Sequence, residues 1–139
     1  MNDSCLFCKI AQGHIPSHKI YENDKVYAFL DLSPQNEGHI LVIPKYHGEK
    51  LKDIPDDFLS EIPIAVKKIS LAFEKMNGKE LEYNVLQNNG SSSGQVVMHT
   101  HFHIIPRFEG DGFNLHFAPK QATQEELKAF KDKLVPFIE

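Results

Sequence analysis

The sequence predicts an α+β fold: a largely antiparallel sheet with one long helix and a C-terminal helix. Three observations carry this. Short apolar runs sit close together and are separated by turn residues, which suits antiparallel hairpins. One long segment repeats its apolar residues at three- and four-residue steps, the helical period. A second helical segment closes the chain behind a capping signal. Helices placed together on one face of such a sheet give an α+β architecture.

Lys19 to Asp31 carries Ile20, Tyr21, Val26, Tyr27, Phe29 and Leu30. Asn23-Asp24 interrupts it, which predicts two strands and a tight turn. Ser33-Pro34-Gln35-Asn36-Glu37-Gly38 is a turn cluster. His39 to Ile43 reads as a buried strand stopped by Pro44. Pro55 to Met76 reads as the main helix, with Leu59, Ile62, Val66, Ile69, Phe73 and Met76 on one stripe. Pro63 should kink or divide it, and Asn77-Gly78 should end it. Glu82 to Leu86 reads as a strand, Gln87 to Gly94 as a loop and Gln95 to Ile105 as a further strand. The last helix should begin at Thr123, with Glu126 three residues on, and bury Leu127, Phe130, Leu134 and Phe137.

The 139 residues fit one domain, 1–139, with no internal repeat. Hydrophobic residues make up 41% and charged residues 24%, as in ordinary globular chains. The net charge of −4 argues against a nucleic-acid partner bound by phosphate neutralisation. No apolar run approaches the ~20 residues of a membrane span. The first residues lack the pattern of a secretory signal. The cytosol is the expected compartment, with the nucleus as the other.

His99, His101 and His103 alternate, so on a straight strand their rings share one face and Thr100, Phe102 and Ile104 share the other. Histidine changes charge nearest neutral pH and is the commonest metal ligand. His99 and His103 would stand roughly 13 Å apart at the backbone, too far to converge easily on one ion. Either two share a metal or the three have different tasks. The preceding Asn88-Asn89-Gly90-Ser91-Ser92-Ser93-Gly94-Gln95 is small and polar. It suits a flexible hairpin loop or a backbone cradle for an anion such as phosphate. Cys5 and Cys8 form a C-x-x-C pair, read as half a metal site, as buried thiols or, less favoured because no strand precedes it, as a redox pair. His14, His18 and His116 show no pattern and are read as surface residues.

Taken together, Asn88-Asn89-Gly90, Gly94-Gln95, His99-x-His101-x-His103, Asp31-Leu32-Ser33-Pro34 and Gly38-His39-Ile40-Leu41-Val42-Ile43-Pro44-Lys45 closely resemble the histidine-triad (HIT) hydrolases. The Hint-like branch, which cleaves nucleoside phosphoramidates, is nearest. The resemblance covers about residues 5–106; residues 107–139 form a less diagnostic tail and helix. It implies a homodimeric HIT-like domain acting on a purine nucleotide at the α-phosphate. His101 would be the nucleophile, forming a nucleotidyl-histidine, with His103 and His99 completing the catalytic triad. His103 would donate to a phosphoryl oxygen. His39 would stand behind the triad.

The nucleotide-binding positions implied are Asp31, Leu32, Asn88, Gly94, Gln95 and Val96, besides His101 and His103. Asp31 would hold the ribose, although a turn-capping role also fits it. Backbone N–H groups near Gly94 and Gln95, and Gln95 itself, would meet the phosphate. Phe7, Ile10, Phe29 and Leu41 match apolar positions around the base, where core packing would explain them nearly as well. Val96 stands where several Hint-like enzymes have serine, and polar Thr100 fills an apolar slot. In the bacterial-type branch the C-x-x-C pair is joined by two histidines, here His47 and His99, in a structural zinc site. No cofactor is needed for the chemistry. The rival readings are a dinucleoside polyphosphate hydrolase, a nucleotide-binding partner protein with incidental catalysis, and a histidine-ligated metal hydrolase. A transferase is disfavoured, since its relatives carry glutamine where His103 stands.

Overall fold

The computed structural model describes residues 1–115 and 117–139, so the reading of His116 lies outside the described residues. Its elements are α1 (Leu6–Ala11), β1 (Lys19–Glu22), β2 (Val26–Leu30), β3 (Ile40–Pro44), α2 (Asp56–Leu59), α3 (Glu61–Asn77), β4 (Tyr83–Gln87), β5 (Phe102–Pro106) and α4 (Gln124–Leu134). The strands form one five-stranded sheet in the order β1-β2-β3-β5-β4. Every neighbouring pair is antiparallel. The α+β expectation is met.

Period-two alternation decides which side each residue serves. Val26, Ala28, Ile40, Val42 and Ile104 pack against Ile62, Ala65, Val66 and Ile69 of α3. Tyr27, Phe29, Leu41 and Ile43 form a second cluster on the opposite face, with Phe7 and Ile10 of α1. The sheet therefore has helices on both faces, where one was expected. The short α1 was not anticipated. Its signals are modest: Phe7 and Ile10 lie three residues apart, and Gly13 follows the last turn.

The long helical pattern is divided as expected, but at Ser60 rather than Pro63. Proline lacks an N–H, and its ring clashes with the carbonyl four residues back, here Leu59. The ladder therefore breaks just after Leu59, and Pro63 sits in the first turn of α3, where no N–H is needed. Gly78 caps α3 with a left-handed φ of 70° that suits glycine. Met76 is exposed, contrary to expectation.

Two further expectations are corrected. The histidine segment is a strand only from Phe102. Strand β3 pairs with β5 through Ile40–Val42 only. Beyond that, the chain carrying His99 leaves the sheet and is held by single bonds. The Thr100 N–H donates to the Gly48 carbonyl at 2.8 Å, and the His99 ring bonds to the Pro44 carbonyl at 2.9 Å. Helix α4 does begin where expected, with Thr123 Oγ1 accepting the Glu126 N–H. Its apolar stripe is nevertheless exposed: Leu127, Phe130, Leu134 and Phe137 are 53%, 63%, 48% and 82% accessible. An amphipathic pattern shows that a face is apolar, not that its own chain will cover it. Among the described residues, no helix is long and apolar enough to cross a membrane.

Candidate active site

A cavity of about 520 Å³ opens on the α1 face of the sheet. Phe29, Leu41 and His103 reach it through strand register. Phe29 pairs with Leu41, and Leu41 pairs with His103, so the three share one face. Phe7 and Ile10 enter from α1, Asp31 and Leu32 from the β2–β3 connection, and Asn88, Gly94, Val96 and His101 from the β4–β5 connection. Leu6, Ser33 and Val97 also line it. These three were not foreseen, and only the helical position of Leu6 beside Phe7 hinted at one of them.

The three histidines have different surroundings. The His101 ring is buried against Phe7 at a centroid distance of 5.1 Å. Its Nδ1 lies 2.7 Å from the His99 carbonyl. A carbonyl only accepts, so Nδ1 carries the proton and Nε2 is left with its lone pair. Burial pushes the His101 pKa below the ordinary histidine value, which favours that neutral form.

His103 is fixed by a longer chain of bonds. The Gln35 backbone N–H lies 2.9 Å from His39 Nδ1, so that atom accepts. His39 must then carry its proton on Nε2, which lies 2.9 Å from His103 Nδ1. His103 Nδ1 therefore accepts, and its proton sits on Nε2 as a donor. Burial, with like-charge effects from His101 and His39, pushes the His103 pKa down to about 4. Burial also lowers that of His39, against the pull of Asp31. Asp31, His39 and His103 place three possible donor atoms within 4.8 Å of one another. Metal ligation by His39 Nε2 would move its proton to Nδ1, where it would face the Gln35 N–H. The array thus suits a neutral hydrogen-bond relay better than a ligand set.

The His99 ring does not line the cavity. It is fully buried, and its Nε2–H donates to the Pro44 carbonyl at 2.9 Å. Burial pushes its pKa down to about 4, against the Pro44 bond. Its remaining lone pair, on Nδ1, lies 3.4 Å from both Cys5 Sγ and Cys8 Sγ. Cys8 Sγ also lies 3.3 Å from His47 Nδ1. One lone pair cannot serve two thiols well. A shared cation would serve all four groups. Zinc bonds of about 2.3 Å to sulfur and 2.0 Å to nitrogen set tetrahedral S···N edges of roughly 3.5 Å, close to these separations. Cys5, Cys8, His47 and His99 could hold a metal ion, and two thiolates with two imidazoles match zinc chemically.

The loop after β4 departs from expectation. The Gly94 N–H donates to the Ser91 carbonyl and the Gln95 N–H to the Gly90 carbonyl, closing the turn. The Gln95 side chain accepts the Gly90 N–H and donates to the Glu49 and Val97 carbonyls. Gln95 braces the loop from inside and does not line the cavity. Among the described residues the Val96 N–H meets no acceptor, which leaves it free for an anion. Gly94 has φ +101°, a backbone conformation that suits glycine. Asp31 accepts the Ser33 N–H through Oδ1 at 2.8 Å, the turn-capping role. Its Oδ2 lies 3.6 Å from His39 Nε2, and the residue also lines the cavity.

A family model described as the HIT domain matches residues 12–110. The chain is 47% identical over 135 residues to adenosine 5′-monophosphoramidase HNT1 of Candida albicans, covering 94% of this chain and 89% of that one. The crystal structure of a histidine triad nucleotide-binding protein from Candida albicans superposes with a TM-score of 0.87 at 44% identity, covering 94% of each chain. A zinc-bound histidine triad family protein from Mycobacterium smegmatis superposes at 0.72 with 32% identity, covering 84% of each.

Proposed function

The chain belongs to the HIT domain family, and from that premise we propose that it hydrolyses purine nucleoside phosphoramidates at the α-phosphate. The observation that carries this is the pair of fixed tautomers: an open lone pair on His101 Nε2 beside a donor on His103 Nε2. The name of the Candida relative supports the same reaction.

In the first step His101 Nε2 attacks phosphorus. The P–N bond breaks, its electron pair stays on nitrogen, and that nitrogen takes up one proton from solvent at the open mouth, which the second step returns. In the second step water attacks phosphorus, the P–Nε2 bond breaks, its pair returns to His101, and the water gives up a proton. Nucleoside monophosphate leaves, and the protons balance. His103 Nε2–H and the Val96 N–H donate to phosphoryl oxygens, where such donors are worth roughly 3–4 kcal/mol each. The carbonyl of His99 holds the His101 tautomer throughout. Asp31 Oδ2 accepts from the ribose hydroxyls, while Phe7, Ile10, Phe29 and Leu41 pack on the base. Cys5, Cys8, His47 and His99 would hold one zinc ion, which would tie α1 to the sheet and take no part in the chemistry.

Among the described residues no lysine or arginine lines the cavity. A polyphosphate leaving group would find no counter-charge there, which favours the phosphoramidate over a dinucleoside polyphosphate. A kinetic panel of adenosine and guanosine phosphoramidates against diadenosine polyphosphates tests this. Higher kcat/KM for the phosphoramidates is expected; higher values for the polyphosphates would reverse the assignment. Asp31→Asn should weaken monophosphate binding by about 1–3 kcal/mol, the value of charged hydrogen bonds. Equal affinity of the unaltered protein for ribonucleotides and 2′,3′-dideoxynucleotides would remove Asp31 from that role.

The exposed stripe of α4 supports a homodimer in which a second copy covers it. Light scattering should give twice the chain mass, and substituting Leu127, Phe130 and Leu134 by serine should yield monomer.

A further inference from the structure

Two of the most exposed apolar side chains of the fold stand on the rim of the cavity. Leu32 is 82% exposed and Val96 is 86% exposed, and both line it. A single exposed apolar residue needs no explanation. Two on one mouth, from different loops, form a surface. Both are held on braced backbone. The Asp31 carboxylate fixes the turn after it through the Ser33 N–H, and the Gln95 side chain ties down the loop at Val96.

The direction of the reaction decides what meets this rim. His101 is 7% exposed and lies deep in the cavity. In phosphoryl transfer the attacking and leaving atoms lie roughly in line. Attack from below therefore drives the leaving group outward, past the mouth. Asp31 is the one charged side chain lining the cavity other than histidine, among the described residues. It is already engaged by Ser33 and lies beside His39. Lys50 and Lys52 line a separate cavity with Leu51 and Asn89. Among the described residues, none that lines the cavity offers a cation to an anionic leaving group or an uncommitted carboxylate to a cationic one.

We propose that the leaving-group side of the site selects amines bearing an uncharged apolar side chain, with Leu32 and Val96 as the residues that set this preference. The proposal rests on the phosphoramidase reading and names its substrate class more closely. Val96 has no hydroxyl to offer the departing nitrogen. What it gives is area, and covering apolar surface is worth about 25 cal/mol per Å².

The test uses the unaltered protein and four adenosine 5′-phosphoramidates. Their amines are matched in basicity and carry a phenyl, a hydroxyl, a carboxylate or an ammonium group. The phenyl compound should exceed each of the other three in kcat/KM by about tenfold, the value of one well-covered apolar group. The Leu32→Ser, Val96→Ser double variant should bring that ratio to within about threefold of one, whatever happens to the common rate. Equal kcat/KM for all four in the unaltered protein, or an unchanged ratio in the double variant, would overturn the preference. Hydrolysis of none of the four, with AMP released from diadenosine polyphosphates, would instead overturn the phosphoramidase reading itself.

Discussion

Replacing His101 with alanine should reduce turnover by on the order of 10⁴-fold or more, as loss of a covalent nucleophile does in other hydrolases. Two neighbours fix the His101 ring. The His99 carbonyl takes its Nδ1 proton, and Phe7 packs on its ring. Neither alanine nor asparagine can offer a lone pair at the Nε2 position. His101→Asn keeps most of the volume and separates lost chemistry from lost packing. Both variants should still bind nucleoside monophosphate, because the base pocket and Asp31 are untouched. Steady-state kinetics beside a binding titration reads the two effects separately. Retention of more than a tenth of normal kcat in both variants would place the nucleophile elsewhere.

Removing the two thiols should have the next largest effect, on stability. In the Cys5→Ser, Cys8→Ser variant, zinc loses its two soft ligands, and its binding energy no longer adds to folding. A loss of at least about 2 kcal/mol is expected, a fall in Tm of roughly 5 to 10 °C. The geometry adds a kinetic consequence. Cys5 caps α1 and Cys8 lies within it, while Phe7 and Ile10 of the same helix wall the cavity. A looser α1 should raise KM. His101 and His103 lie outside the cluster, so kcat should fall much less. Elemental analysis of tag-free protein purified without chelators should give about one zinc per chain, and none in the variant. Less than a tenth of an equivalent in the unaltered protein, with unchanged melting in the variant, would leave half-buried Cys5 and buried Cys8 as free thiols.

Much of this was legible in the sequence because period-two and period-3.6 patterns report burial directly. The turn-linked strands and the α3 stripe follow from them, whereas the face shared by Phe29, Leu41 and His103 depends on cross-strand register. The alternation at His99, His101 and His103 was only half informative. It continues as a strand while a neighbour supplies hydrogen bonds, and the pairing of β3 with β5 ends at Val42. From there His99 turns into the cysteine cluster, leaving His101 and His103 in the cavity. The His39 relay was invisible in another way. It depends on the Gln35 N–H, a backbone group without a sequence signature. Gln95 shows the converse: its side chain suits phosphate, but three bonds to its own loop engage it first. The α4 stripe was read as apolar, correctly, and as buried, wrongly for a single chain.

The central claim is a covalent nucleotide on His101, and trapping it is the direct measurement. Enzyme mixed with a slow adenosine phosphoramidate, quenched after one turnover and digested under conditions that preserve phosphohistidine, should yield one peptide heavier by an adenylyl group. Fragmentation should place that group on His101, and the His101→Asn variant should carry none. Full turnover with no adduct at any time point, or an adduct on His103 or His99 instead, would contradict the account.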